Sequence, residues 1–437
     1  MKAFYKLLVA ALIVGTTNNF VWFALTFWIY LGTKSVVSTG MVAGIYLIAT
    51  ALSGMWFGSL VDHKKKKYVM LGSSAVTLTF FIVGFLVYHL NSPSAFTSVT
   101  SPALWLFVIP LMLAVVAGNI FNIAVPTLVA HLVPKDQHDK ANGMFGTVTG
   151  IAFAITSVAS GTTLAFGGMF LVLIVAIILT VFALIYLAFL SLPEKKVIHR
   201  GEAQGQKNLP AGRQVDIMGT IKVIRAIPGL FALIFYATFN NFLGGVFMAL
   251  MDAYGLSLVS VQIWGFMFGI LSMGFIIGGL IIAKKGLGKN PLKTLLRVNI
   301  VTWTVCIFFT IQPSIILLFI GMAFWMTLYP FVEASEQTVI QKVVPPERLG
   351  RVFGFSQSIE QAAAPFTAFL IGPIAQFIFI PFMTTGKGVE RIGGWFGTGT
   401  GRGIALVFII AGIIGLIVTL LTMRSKSYKL LTAQYKE

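Results

Sequence analysis

A single cysteine, Cys306, stands among 437 residues. The chain can therefore close no internal disulfide and offers no cysteine cluster to a metal. Charge is nearly as scarce: only 10% of residues are Asp, Glu, Lys or Arg, and 13 are acidic, well short of the roughly one quarter charged in a soluble domain. The five histidines, His63, His89, His131, His138 and His199, lie near the ends of apolar runs or between them, without metal-ligand spacing. No Gly-x-x-x-x-Gly-Lys-Ser/Thr run is present, which argues against ATP as the energy source. Neither a cofactor nor a metal is expected. An integral-membrane transferase would need clustered catalytic groups, and none are visible, so an enzyme is disfavoured.

What fills the chain instead is apolar. Hydrophobic residues make up 57% of it, mean hydropathy is +0.92, and the apolar runs are long enough to cross ~30 Å of hydrocarbon at about 20 residues each. The runs predict twelve transmembrane spans: 7–31, 37–61, 68–90, 103–131, 143–166, 168–192, 229–252, 261–283, 293–312, 314–341, 352–380 and 403–423. The net charge of +18 is explained by topology. Assigning the termini and alternate connections to the cytoplasm places 27 of the 31 basic residues there, leaving Lys34, Lys387, Arg391 and Arg402 outside. That asymmetry is the positive-inside pattern, so both termini are expected in the cytoplasm of a multi-pass cell-membrane protein. The basic side faces anionic lipid rather than nucleic acid. Met1–Lys6 is too short for the charged region of a leader and no small-residue cleavage site follows, so the first run is expected to remain as span 1.

The chain repeats itself. Thr16 with Asn18-Asn19-Phe20 returns as Thr238 with Asn240-Asn241-Phe242. Gly54…Gly58…Lys64-Lys65 returns as Gly274…Gly278…Lys284-Lys285, and Thr127…Val133-Pro134…Lys140…Gly143 as Thr338…Val344-Pro345…Arg351…Gly354. Three matches at similar offsets define a six-plus-six duplication. The expected fold is all-α integral membrane, with twelve transmembrane helices in two pseudo-symmetric six-helix bundles, 1–192 and 229–437. Between them, 193–228 is read either as a plain tether or as a linker whose 215–225 stretch forms a short interfacial helix. The Gly-rich connection 381–402 has no role legible in the sequence.

Side-chain amides and carboxylates are costly in hydrocarbon unless they face protein or water. Asn18 and Asn19 lie in span 1, Asn119 and Asn122 in span 4, Asn240 and Asn241 in span 7, and Glu333, Glu336 and Gln337 in span 10. These spans are equivalent under the duplication, which predicts a polar, substrate-accepting cavity lined by Asn18, Asn19, Asn119, Asn122, Asn240 and Asn241, with Phe20 and Phe242 as apolar walls. The alternative for the amides is interhelical packing.

At this point the chain resembles the major facilitator superfamily over essentially its whole length. Gly58-Ser59-Leu60-Val61-Asp62-His63-Lys64-Lys65-Lys66-Lys67 is similar to that superfamily's motif A, with Lys65 where the pattern has glycine; the second copy carries Ile282 in place of the acid. Val344-Pro345-Pro346-Glu347-Arg348-Leu349-Gly350-Arg351-Val352-Phe353 and Gly229-Leu230-Phe231-Ala232-Leu233 resemble the macrolide-efflux-type permeases of the third drug:proton antiporter group. A departure is the absence of Gly-Pro between Gly150 and Gly161. The resemblance implies drug-type efflux of a hydrophobic or amphipathic small molecule in exchange for protons, of the kind that confers antibiotic resistance; an importer, uniporter or lipid flippase of the same fold is the alternative. It also implies a conformational latch at Gly58 and Asp62, for which Arg351, near the start of span 11, is the candidate partner; Asp62 otherwise balances the lysines beside it.

Glu333, Glu336 and Glu360 are the candidate proton-coupling residues. Glu333 precedes Lys342 by nine residues and Glu360 follows Arg351 by nine, so both sit about 14 Å inside the boundary at 1.5 Å per residue. Apart from Lys293 and Arg297 in the first turns of span 9, no lysine or arginine falls inside a span. The alternative is a wet vestibule in which these acids are ordinary solvated groups. The expected partners are a small-molecule substrate, protons and membrane lipid, with the chain acting as a monomer.

Overall fold

A computed structural model describes residues 2–33, 36–98, 100–193 and 217–434. Their regular structure is entirely helical, as it must be where no water satisfies backbone N–H and C=O groups. The first half runs α1 (Lys2–Thr33), α2 (Val36–His63), α3 (Lys66–Leu90), α4 (Pro102–Gly118), α5 (Phe121–Leu132) and α6 (His138–Phe189). Then come α7 (Ile217–Ala226), α8 (Leu230–Leu256), α9 (Val261–Leu271), α10 (Met273–Lys285), α11 (Pro291–Phe308) and α12 (Ile315–Val343). The chain ends with α13 (Leu349–Ile374), α14 (Ile380–Thr384), α15 (Lys387–Phe396), α16 (Thr400–Arg424) and α17 (Lys426–Ala433).

Eleven helical stretches among the described residues are long and apolar enough to cross a membrane. One of them runs from Lys135 to Phe189, enough for two passes. It breaks at Gly168, whose φ of +60° and ψ of −166° suit glycine alone. Its two arms are separate passes, and the total is the twelve expected. Span 4 is interrupted at Asn119 and Ile120, whose N–H groups bond the carbonyls three residues back rather than four. Span 8 is interrupted at Ser272, and span 11 passes through a π-helical turn at Ala375–Phe379.

The chain folds as two compact units. Unit 1 comprises Met1–Ala141, Val148–Ile221 and Val344–Ser358; unit 2 comprises Asn142–Thr147, Lys222–Val343 and Ile359–Glu437. The division does not follow the sequence halves throughout: residues 142–147 of α6 belong to unit 2, and 344–358, with the first turns of α13, to unit 1. Unit 1 packs around Leu25, Phe81, Leu104, Phe107 and Leu111, with Trp28 edge-on to Phe107 at 5.0 Å. Unit 2 packs around Tyr254, Trp303, Phe309 and Phe408, with Phe247 stacked on Phe408 at 4.8 Å. Other large apolar side chains point outward: Leu52, Phe235 and Phe266 are each more than half exposed, as a lipid-facing surface requires.

Three sequence expectations need comment. Arg402 was placed in an outer connection, yet it lies in the first turn of α16 and is 4% exposed; the apolar run alone does not reveal that a helix begins before it. Lys65, where motif A has glycine, has φ −61° and ψ 123°, a conformation any residue adopts, so the turn needs no glycine here. Of the two readings of the linker, the one with a helix matches α7, whose Ile224 is fully buried. Positions 194–216 and Lys34 lie outside the described residues.

Candidate functional site

A charged polar group in unit 1 stands at the end of α2. Asp62 sits one residue before its C-terminus, its side chain 3% exposed. Oδ1 accepts from the Gly350 N–H at 2.7 Å, Oδ2 from the Arg351 N–H at 2.9 Å, and Arg351 Nε lies 3.7 Å away. Those two N–H groups belong to the first turn of α13, where the helix has no carbonyl of its own to offer them and its dipole favours an anion. Close approach makes the contact possible. A Cβ at Gly58 would overlap the Gly350 carbonyl, and one at Gly54 would lie 2.9 Å from the Gly354 carbonyl. His63 completes the group: its Nδ1 lies 2.7 Å from the Ser59 carbonyl, so that nitrogen carries the proton and Nε2 accepts from Arg351 Nη2 at 2.6 Å.

Asp62→Asn removes the charge from this group and turns one of the two acceptor oxygens into a donor. A hydrogen bond to an ionised group is worth about 1.5–3 kcal/mol, so the transport rate is expected to change by about tenfold or more while ligand affinity changes less. Initial-rate kinetics beside equilibrium ligand binding measure this. Equal loss in both quantities would assign Asp62 to general folding.

Unit 2 holds a neutral counterpart that the sequence reading missed. Asn142 Nδ2 donates to Thr338 Oγ1 at 2.9 Å and to Gln341 Oε1 at 2.8 Å, and Gln341 Nε2 donates back to Asn142 Oδ1 at 3.2 Å. All three side chains are buried. Beside them Gly143 is packed against Ile282 and Gly279 against Thr147. Since Ile282 is the repeat partner of Asp62, the duplication pointed to this location. Nothing in the sequence pointed to the amide pair, because Asn142 and Gln341 fall at the ends of their spans.

All three candidate acids belong to unit 2, Glu333 and Glu336 one turn apart on α12 and Glu360 on α13. Glu333 is exposed, Glu336 and Glu360 half-buried, and Gln337 Nε2 donates to Glu333 Oε1 at 3.3 Å. Trp325 and Phe275 lie against Tyr329, each with ring centroids 5.6 Å away. The result is an acidic patch walled by aromatic rings. Tyr329 was missed, although it precedes Glu333 by four residues and so shares its helix face.

The repeated amides separate into two kinds. Asn119 is buried and donates to the Tyr46 hydroxyl at 3.0 Å and Thr50 Oγ1 at 3.2 Å, a bridge to α2. Asn18 is buried in the space left by the missing side chain of Gly118. Asn240 accepts from Trp303 Nε1 at 3.1 Å. Phe20, 3% exposed, is a core side chain of unit 1, while Phe242 is half-buried against the unit 2 core. The second member of each pair is the more open: Asn122 is exposed, Asn19 half-buried, and half-buried Asn241 donates to the Ala237 carbonyl of its own helix, at 3.1 Å.

Asn241→Ala is thus expected to weaken ligand binding by about 1–3 kcal/mol, the cost of one lost buried hydrogen bond. Asn240→Ala should act instead on stability, through the orphaned indole of Trp303. Ligand titration beside thermal unfolding in detergent separates the two. Unchanged affinity in Asn241→Ala would leave that amide a packing role.

A twelve-pass helical bundle of two related units, with carboxylates and amides on its spanning helices and a glycine-lined contact at a helix end, is the architecture of a membrane transport protein. The family comparison agrees: residues 7–368 match the Major Facilitator Superfamily, and the chain belongs to it. It is 21% identical over 373 residues to Macrolide efflux protein A of Streptococcus pyogenes, covering 83% of this chain and 86% of that protein. With Macrolide efflux protein A of Enterococcus faecalis it shares 21% identity over 346 residues, 77% of this chain and 99% of the relative. A bacterial homologue of the iron transporter ferroportin, in an outward-facing state, superposes with a TM-score of 0.68 at 15% identity, over 97% of this chain and 100% of that one. The human organic anion transporter MFSD10 gives 0.65 at 12% identity, over 94% and 99%. These structural likenesses define the fold. The protein is a multi-pass membrane transporter of small molecules.

Proposed function

We propose that the protein exports hydrophobic or amphipathic small molecules by alternating access, in exchange for protons, from a cell membrane in which both termini are cytoplasmic. Export rests on the similarity to the macrolide efflux proteins, which extends over most of both chains. Proton exchange rests on one observation, two acids one turn apart, Glu333 and Glu336, within the membrane-crossing helix α12. Carboxylates that share a site interact, so the proton occupancy of one depends on the others. Rings at Trp325, Tyr329 and Phe275 supply apolar surface beside the acids, the combination an amphipathic molecule would need. Asn19, Asn122 and Asn241 are assigned to substrate contact, and the Asp62 group to the conformational step.

The experiment is transport in proteoliposomes with an imposed pH gradient and a macrolide as the first probe. Export in the assigned direction should be driven by the gradient and should collapse when a protonophore dissipates it. Equilibration without accumulation would make the protein a facilitator rather than an exchanger.

A further inference from the structure

The segment joining the last two spans collects three of the four basic residues that the charge pattern assigns to the outer side: Lys387, Arg391 and Arg402. The structure gives these three different positions. Arg402 is buried, and it fastens the C-terminal end of α15. Its Nε donates to the Phe396 carbonyl at 2.6 Å, its Nη1 and Nη2 donate to the Thr310 and Ile311 carbonyls at 3.0 and 2.9 Å, and its guanidinium stacks 3.8 Å from the Phe396 ring centroid. Gln312 Nε2 donates to the Trp395 carbonyl at 3.2 Å, holding α15 from a second side. Phe396 is buried and Ile392 packs against the same core, so the roll of the helix about its axis is fixed.

The opposite edge of α15 carries Lys387, Arg391 and Trp395, spaced one turn apart and all exposed, Trp395 at 59%. Among the described residues neither cation forms an ion pair; Glu390 lies beside them on the exposed side and leaves the stripe with net positive charge. The helix lies between the ends of two membrane passes, Thr384 before it and Thr400 after it. This is the level of lipid headgroups. Outer connections are poor in basic residues under the positive-inside rule, so two on one face of one pinned helix call for a reason. Lys387 and Arg391, about 6 Å apart at their Cβ atoms, can bracket one phosphate, and an indole a further turn along suits the interface between headgroup and acyl chain.

We propose that this edge of α15 is a docking surface for the phosphate headgroup of an anionic phospholipid, in the leaflet that one membrane pass, α16, separates from the C-terminal segment. The test is native mass spectrometry of the full-length protein with phosphatidylglycerol or phosphatidylcholine added, comparing wild type with Lys387→Gln/Arg391→Gln and with Lys289→Gln as a control outside α15. Retention of phosphatidylglycerol should fall about fivefold or more in the double variant and remain unchanged in the control. In parallel, brominated phosphatidylglycerol should quench a fluorescence component that Trp395→Phe removes. Equal retention in the double variant, equal retention of phosphatidylcholine, or displacement of the lipid by free inorganic phosphate would each overturn the assignment. Should the double variant fail to fold, absence of Trp395 quenching in the wild-type background would overturn it alone.

Discussion

Arg402→Leu is expected to loosen the end of unit 2 that holds α15 and to cost about 1–3 kcal/mol of stability, the penalty for leaving a buried acceptor without its donor. The side chain is 4% exposed and donates to three main-chain carbonyls, with the Tyr254 hydroxyl a fourth partner at 3.3 Å. Leucine fills part of the volume and satisfies none of these oxygens, and each buried acceptor left bare carries its own desolvation cost. Arg402→Lys keeps the charge but loses the planar fork that reaches Phe396, Thr310 and Ile311 together, so an intermediate effect is expected. The chain carries its own reporter. Cys306, its single cysteine, is buried in the same core, and maleimide labelling should accelerate as that core opens. Unchanged labelling together with an unchanged melting temperature in Arg402→Leu would show the fastening to be dispensable.

The second large effect is expected on α12. Glu333→Gln preserves shape and hydrogen-bonding capacity while fixing the site in a neutral state. If proton exchange runs through this group, accumulation driven by a pH gradient should fall by about tenfold or more, while gradient-free counterflow, which needs only substrate binding and alternation, persists. Glu336→Gln should follow with a smaller loss and Glu360→Gln with the smallest. That order reflects the duplication, which pairs Glu333 with Asn122 and Glu360 with Thr149. Full gradient-driven activity in both Glu333→Gln and Glu336→Gln would remove α12 from the coupling step and favour facilitated diffusion.

Much of the fold was legible because hydrocarbon imposes a coarse rule. Any run of about 20 apolar residues must cross as a helix. The break between spans 5 and 6 was visible as a lapse in the run, and Gly168 supplies it. Polar chemistry was legible only by type. Four amide pairs or acid groups marked spans 1, 4, 7 and 10, but in a membrane both lipid and protein neighbours are apolar, so helical spacing does not reveal which way a residue faces. Hence Phe20 and Asn119 turn out to be packed inside unit 1, and Asn122 is open.

By itself, the sequence determined the helical class, the twelve crossings, the duplication and which spans carry acids, since each follows from local composition and spacing. Only the tertiary structure decided that the Asp62 carboxylate meets the first turn of α13, that Asn142 pairs with Gln341, and that Arg402 is a buried fastening for α15 rather than an exposed loop residue. Each of these joins groups far apart in the chain through hydrogen bonds about 3 Å long. Such contacts depend on helix approach and rotation, which glycine pairs such as Gly58 and Gly350 permit but which no one-dimensional pattern specifies.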